Sequence, residues 1–273
     1  MHKYIWGVFI LLSLAVLSFL NSNVSVARTD AGDRIGKGKP IEVLADNALE
    51  WHRDQKNYTA KGNATLKQGT FQVDGDMITA FYREGVNKST EIWKLISNEK
   101  VIVHLPPHKA YGDHVVYNLD TGIAILTGEN LRIETPNEVI TAKDQIEYDI
   151  NSLVLTARGG AQVVTSEETL KANKLVARFQ EDTTGSLVLS KINARDNVRV
   201  LTKEESIHGD RGTYDVKTGK ALVNGNVEVY RGESRLSGDR AEIDMDKGIS
   251  QLYADIDTNG TGRVRGVFYP GSQ

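Results

Sequence analysis

One four-residue phrase recurs through this chain: an apolar residue, any residue, Gly or Ala, then Asp or Asn. It reads Val43-Leu44-Ala45-Asp46, Val73-Asp74-Gly75-Asp76, Ala110-Tyr111-Gly112-Asp113, Leu170-Lys171-Ala172-Asn173, Ile207-His208-Gly209-Asp210 and Leu236-Ser237-Gly238-Asp239. Ile140-Thr141-Ala142-Lys143 fills the remaining slot, with Asp144 one place late. The last residues of these phrases lie 30, 37, 30, 30, 37 and 29 positions apart. Longer stretches echo each other at an offset of 97, Gly112 to Asn130 on Gly209 to Val227, and Ile92 to Val103 on Leu189 to Val200. A period of this size marks an array of small structural rungs, each of which buries its apolar face only by stacking on its neighbours.

Within a rung the period is two. The stretches NVRVLT from Asn197, NVEVY from Asn226, NLRIET from Asn130 and QIEYDI from Gln145 alternate apolar with polar, the pattern of strands with one dry face. Turn signals, among them Thr121-Gly122, Thr218-Gly219, Asn224-Gly225 and Lys247-Gly248, punctuate them at roughly ten-residue spacing. No convincing helical stripe follows Ala27, and all five prolines stand where a strand ladder tolerates them. The expected fold is all-β: an elongated β-jellyroll or solenoid-like stack of antiparallel strands built from 30/37-residue repeats. Such a stack exposes two open ends that invite end-to-end joining, and an apolar interior open along one side makes a long groove.

Composition narrows the chemistry. The 273 residues carry a formal charge of −3, and removing the first 27 deletes only Lys3 from that count, so there is no basic field for nucleic acid. Without cysteine there are no disulfides, thiolate metal sites or cysteine nucleophiles. The N-terminus combines Lys3, an apolar run from Tyr4 to Leu20 and the small-residue ending Ser25-Val26-Ala27. It reads as an export signal over residues 1–27, cut after Ala27, with an uncleaved anchor as the alternative. Either way the rest of the chain lies outside the cytoplasm, beginning with a polar, Gly-rich leader over 28–39.

The phrases Pro40-Ile41-x-Val43-x-Ala45-Asp46, Gly62-Asn63-Ala64, Gln68-Gly69-Thr70 and Gly75-Asp76, with the stretch from Gly209 to Asp244 and the terminal GRVRGVFYP, resemble the LptA/OstA-like family of periplasmic lipopolysaccharide-transport proteins. The resemblance runs from residue 39 to 270, as about two overlapping copies of the domain, roughly 40–137 and 138–270. It implies a periplasmic, non-enzymatic carrier that holds lipid A acyl chains inside a β-jellyroll. Such a carrier joins head to tail with related jellyrolls and connects inner-membrane to outer-membrane components of the transport machinery. At the matched positions Ile41 and Val43 are the first candidates for acyl contact. In-facing Phe71, Val73, Val101, Val103, Leu131 and Ile133 follow. The alternative for each is that it fills a closed core, since alternation says which face is dry and not what occupies it.

Other chemistries find little support. One recurring Asp per repeat of about thirty residues is too sparse for a calcium-binding roll, so that Asp reads as a turn or strand-edge residue. His104, His108 and His114 lie close in sequence but lack a carboxylate at ligand spacing. Asp74 and Asp76 flank Gly75 on what reads as one strand face, without a reinforcing partner for glycoside hydrolysis. Trp51 and Trp93 read as packing residues rather than sugar platforms. No cofactor, metal or catalytic residue is expected. The runner-up function is a structural or surface β-solenoid without lipid cargo, and the third is a polysaccharide-acting enzyme.

Overall fold

The computed structural model describes residues 39–85, 89–183, 187–244, 247, 249–254 and 262–269. The export signal, nearly all of the leader and the turn at Lys247-Gly248 with its flanks fall wholly or partly outside them. The described residues form eighteen strands and no helix. They divide into two compact units, one within residues 26–159 and 180–188 and the other within 160–179 and 189–273.

In the first unit, β1 (Glu42–Leu44) and β2 (Ala48–His52) lie end to end along β3 (Asn57–Gln68), and the chain then meanders antiparallel through β4 (Phe71–Glu84), β5 (Thr90–Leu105) and β6 (His108–Asn118). Beyond β6 the sheet is again carried by short strands: β7 (Ile123–Thr127) and β8 (Leu131–Glu134) both pair with β6. β9 (Val139–Ala142) continues from β8, and β10 (Gln145–Asp149) joins β7 to β11 (Val154–Val164). Each long strand therefore has two arms.

Cross-strand partners share a face, so the register defines lateral rows. In the first arm Val43, Leu66, Val73, Val103, Ala110, Ile133 and Ile140 are successive partners. In the second arm Leu49, Ala60, Ile78, Ser97, Val115, Leu126, Ile146 and Ala157 make the corresponding row, buried throughout except at Leu49. These rows line the inner face.

The second unit repeats the plan with β12 (Glu168–Glu181), β13 (Leu187–Thr202), β14 (Glu205–Asp215), β15 (Lys220–Arg231) and β16 (Ser234–Asp244), and ends on two short strands, β17 (Ile249–Tyr253) and β18 (Arg265–Val267), both laid on β16. One arm carries the row Val200, Ile207, Val229, Leu236; the other carries Ile192, Tyr214, Ala221, Ile243. Ile192, Ile207, Tyr214, Val223, Val227, Ala241 and Ile243 meet in one core cluster, so the two arms fold onto each other.

The fold line is where the recurring phrase sits. Register slips between Lys61 and Ala64, Asn98 and Val101, Arg195 and Val198, and Asn224 and Val227, and a bulge of this kind bends and twists the strand that carries it. The bulges place Gly62-Asn63, Glu99-Lys100, Asp196-Asn197 and Gly225-Asn226 at positive φ. The phrase's Asp closes the bend on the neighbouring strand. Asp46 accepts from Asn63 Nδ2 at 2.8 Å, Asp76 from Lys100 Nζ at 2.9 Å, Asp113 from the Glu129 N–H at 2.7 Å and Asp210 from Asn226 Nδ2 at 2.9 Å. The facing position must be glycine where the carboxylate fills its Cβ space. A Cβ on Gly128 would lie 2.4 Å from Asp113 Oδ2, and one on Gly225 2.3 Å from Asp210 Oδ2. Asn224-Gly225, read from the sequence as a turn, is instead such a bulge within β15; the hairpin turns lie at the ends of far longer strands, up to sixteen residues in β5 and β13.

Candidate functional site

The structure brings the predicted residues of the first unit onto one surface. Val43, Val73, Val103 and Ile133 share a single row, and Val101 and Leu131, paired with Gly112 and Ala142, stand one row nearer the bend. Phe71 begins β4 opposite Gln68, at the outer end of this arm, and Ile41 immediately precedes β1. Phe71, Val73, Val101 and Leu131 are buried, while Ile41, Val43, Val103 and Ile133 are half-buried.

The alternate row, Thr65, Asp74, Ile102, Tyr111, Arg132 and Thr141, faces the other way and is largely polar. Asp74 accepts from Thr65 Oγ1 and Gln72 Nε2, both at 2.8 Å, and lies 2.7 Å from His104 Nε2. Burial pushes its carboxyl up, but the hydrogen bonds from Thr65, Gln72 and His104 outweigh that and hold it below the usual carboxylate range. The Arg132 guanidinium stacks 3.8 Å from the Tyr111 ring centre.

The second arm adds an aromatic lining. Trp51, Tyr58, Ala80, Leu95, Tyr117, Ala124, Tyr148 and Leu155 are successive partners. Burial raises the Tyr117 and Tyr148 phenols, with Asp149 adding to the latter. At the β2 edge Trp51 stacks on Tyr58 at 5.8 Å, Tyr58 meets Tyr82 in a tilted contact at 5.0 Å, and the Trp51 indole N–H donates to the Tyr82 hydroxyl at 2.8 Å. The Arg53 guanidinium lies over the Trp51 ring, 4.5 Å from its centre. Trp93 packs on Phe81 at 6.2 Å.

The residues considered for other chemistry are held apart. His104 is engaged by Asp74, His114 Nδ1 meets Asn98 Oδ1 at 2.6 Å, and His108 is half-buried, its imidazole pulled below the ordinary value by burial. No group of three potential metal ligands occurs among the described residues. Asp74 belongs to the polar row, whereas Asp76 pairs with Lys100 at the bend, beyond a register shift between Asp74 and Met77.

Sequence reasoning missed the second arm's inner row, because three of its eight members are Ala or Ser: Ala60, Ser97 and Ala157 carry no hydrophobic signal of their own. It also missed the inward residues that follow the hairpin turns. Thr135 to Glu138, Thr165 to Glu168 and Thr202 to Glu205 are the same turn, in which the Thr hydroxyl accepts from the N–H groups two and three residues on. The spacing Thr-x-x-Glu at 30 and 37 residues was the available signal.

Residues 42–154 and 206–269 match the family model described as LptA/(LptD N-terminal domain) LPS transport protein. Among solved structures, the chain is similar to LptH from Pseudomonas aeruginosa, described as the LptA homologous periplasmic component of the conserved lipopolysaccharide transport device. The identity is 11%, with a TM-score of 0.21 over 86% of this chain and 99% of that one. No curated protein sequence matches the chain.

Proposed function

This chain belongs to the family of LptA and the N-terminal domain of LptD, the lipopolysaccharide transport proteins, and from that membership we propose that it carries lipopolysaccharide across the periplasm with the acyl chains of lipid A against its inner faces. The observation that carries the reading is the aliphatic row from Val43 through Leu66, Val73 and Val103 to Ile133, backed outward by a polar row and reaching a half-buried edge at β1. At about 0.8 kcal/mol per methylene, a chain of about a dozen carbons costs on the order of 10 kcal/mol to hold in water, which is the barrier a dry face removes. No bond is made or broken in such a task.

The same reading assigns partners. Among the described residues β1 and β2 register with β3, and Leu44, Leu49 and Trp51 are exposed at this edge of the first unit. Ile249, Val264, Phe268 and Tyr269 are exposed near the last strands of the second. Unpaired strand edges with apolar side chains are templates for strand addition. They suit head-to-tail self-association and docking to the inner- and outer-membrane components of the machinery. The two overlapping copies, roughly 40–137 and 138–270, make this a longer array than a single domain, and export with cleavage after Ala27 delivers it to the periplasm.

A photo-crosslinking amino acid at Val43 or Val73, introduced in cells, tests the proposal. Adducts with lipopolysaccharide from these inward positions and none from Thr65 or Thr141 are expected. Labelling confined to the outward positions, or absent from all four, refutes it.

A further inference from the structure

The 97-residue offset places Glu168 of the second unit where the first has Phe71, and Glu205 where the first has His108. Glu168 opens β12 in step with Leu170 and Ala172, and Leu170 packs on the core cluster of this unit, so the carboxyl belongs to the inner face. Only 4% of the residue is exposed, and neither carboxyl oxygen has a hydrogen-bond partner. The turn does not need it. The Glu168 N–H donates to Thr165 Oγ1, and its carbonyl accepts from the Thr165 N–H and hydroxyl.

The surrounding charges are engaged elsewhere. Glu167, on the same turn, takes Lys203 Nζ at 3.2 Å, and Glu204 takes Arg231 Nη2 at 3.2 Å. Glu205, the other inward acid of this rim, lies 3.7 Å from Arg231 Nη1. Burial pushes the Glu205 carboxyl up, against the pull of Arg231 and with repulsion from Glu204. Burial, with Glu167 adding, pushes the Glu168 carboxyl up to about 7. A buried acid left without a partner weakens the fold, so its place on a face that is otherwise apolar apart from Glu205 calls for a reason.

We infer that Glu168 is a hydrogen-bonding point inside the second unit for an uncharged oxygen-bearing group, an ester, amide or hydroxyl, carried on an aliphatic chain that lies along Leu170, Val200, Ile207 and Val229. The neutral acid's O–H donates a hydrogen bond to the ligand oxygen, while the row behind it takes the methylenes. In the first unit Phe71 offers the equivalent position only an apolar surface. The inference rests on the reading that the inner faces accept acyl chains and adds a polar recognition element to it.

Isothermal titration calorimetry of the full mature chain with 1-monodecanoylglycerol, at pH 6.0 and 8.5, tests it. With only the protonated form competent, the wild-type dissociation constant rises by about thirtyfold between the two pH values. Glu168→Gln keeps a donor and no charge, so it binds at pH 8.5 as at pH 6.0. Glu205→Gln retains the wild-type profile, separating the two acids of the rim. Equal, pH-independent affinity in wild type and Glu168→Gln overturns this inference and leaves the acyl-chain reading standing. Tighter binding of decyltrimethylammonium than of the ester at pH 8.5 also overturns it, because the acid then serves a cation. If neither amphiphile binds the wild type at either pH, both readings fall.

Discussion

Replacing Gly225 by Ala tests whether the bends are closed by the Gly–Asp pair. Gly225 has φ +78°, and the added Cβ would stand 2.3 Å from Asp210 Oδ2 and 2.9 Å from its Cβ and Cγ. Two costs follow. The left-handed backbone costs a non-glycine residue about 1 kcal/mol. Displacing Asp210 also breaks its charge-assisted bond from Asn226 Nδ2, worth about 2 kcal/mol. Gly232 supplies the control, since it has φ +56° and nothing within 4 Å of its Cβ position, so Gly232→Ala carries the backbone cost alone, about 1 kcal/mol. Urea unfolding followed by far-ultraviolet circular dichroism is expected to give a loss of about 3 kcal/mol for Gly225→Ala. Asp210→Ala alone loses about 2 kcal/mol, and adding it to Gly225→Ala brings almost no further loss, because the clash and the bond vanish together. Equal destabilisation by Gly225→Ala and Gly232→Ala, or strict additivity with Asp210→Ala, refutes the account of the bend.

Leu66→Ala, removing a fully buried side chain from the centre of the first unit's inner row, is expected to cost about 3 kcal/mol in the same unfolding assay. The Asp74 carboxyl is held below its unfolded value, so its contribution is complete above roughly pH 4 and is lost as pH falls through the folded value. Asp74→Asn should therefore flatten the acid limb of a stability–pH curve measured by thermal melts. Glu168 has the opposite sign: held near 7, it weakens the fold increasingly as pH rises from its unfolded value to about 7. Glu168→Gln should accordingly be more stable than wild type at pH 8, by up to about 3 kcal/mol, and equal to it at pH 4. Leu49→Lys at one edge, or Phe268→Ser with Tyr269→Ser at the other, is expected to shift sedimentation-velocity profiles toward the monomer. Unchanged self-association would remove those edges from the proposed joining surface.

The period-two strands and the rung spacing were legible because alternation is a local property. Each of Val73, Val101 and Leu131 announces its face through its neighbours two residues away. The bends were not legible, although their residues had been picked out. Asp210 closes its corner on Asn226, sixteen residues on and on another strand, and nothing near Asp210 says that Gly225 has left room for it. Asn224-Gly225 misled for the same reason, since a Gly at positive φ serves a two-residue turn and a bulge equally well, and the continuing ladder to β16 decides between them. The inner row of the second arm stayed hidden because Ala60, Ser97 and Ala157 are small. They become interior by what lies across from them rather than by their own hydrophobicity.

Among the described residues four corners are sealed by contacts between neighbouring segments, Asp46 with Asn63, Asp76 with Lys100, Asp113 with Glu129 and Asp210 with Asn226. A stretch of coding sequence that spans whole rungs can thus be copied or dropped without orphaning a distant contact. Length becomes an inheritable variable, and the echo at 97 residues is the trace that such a copying event would leave.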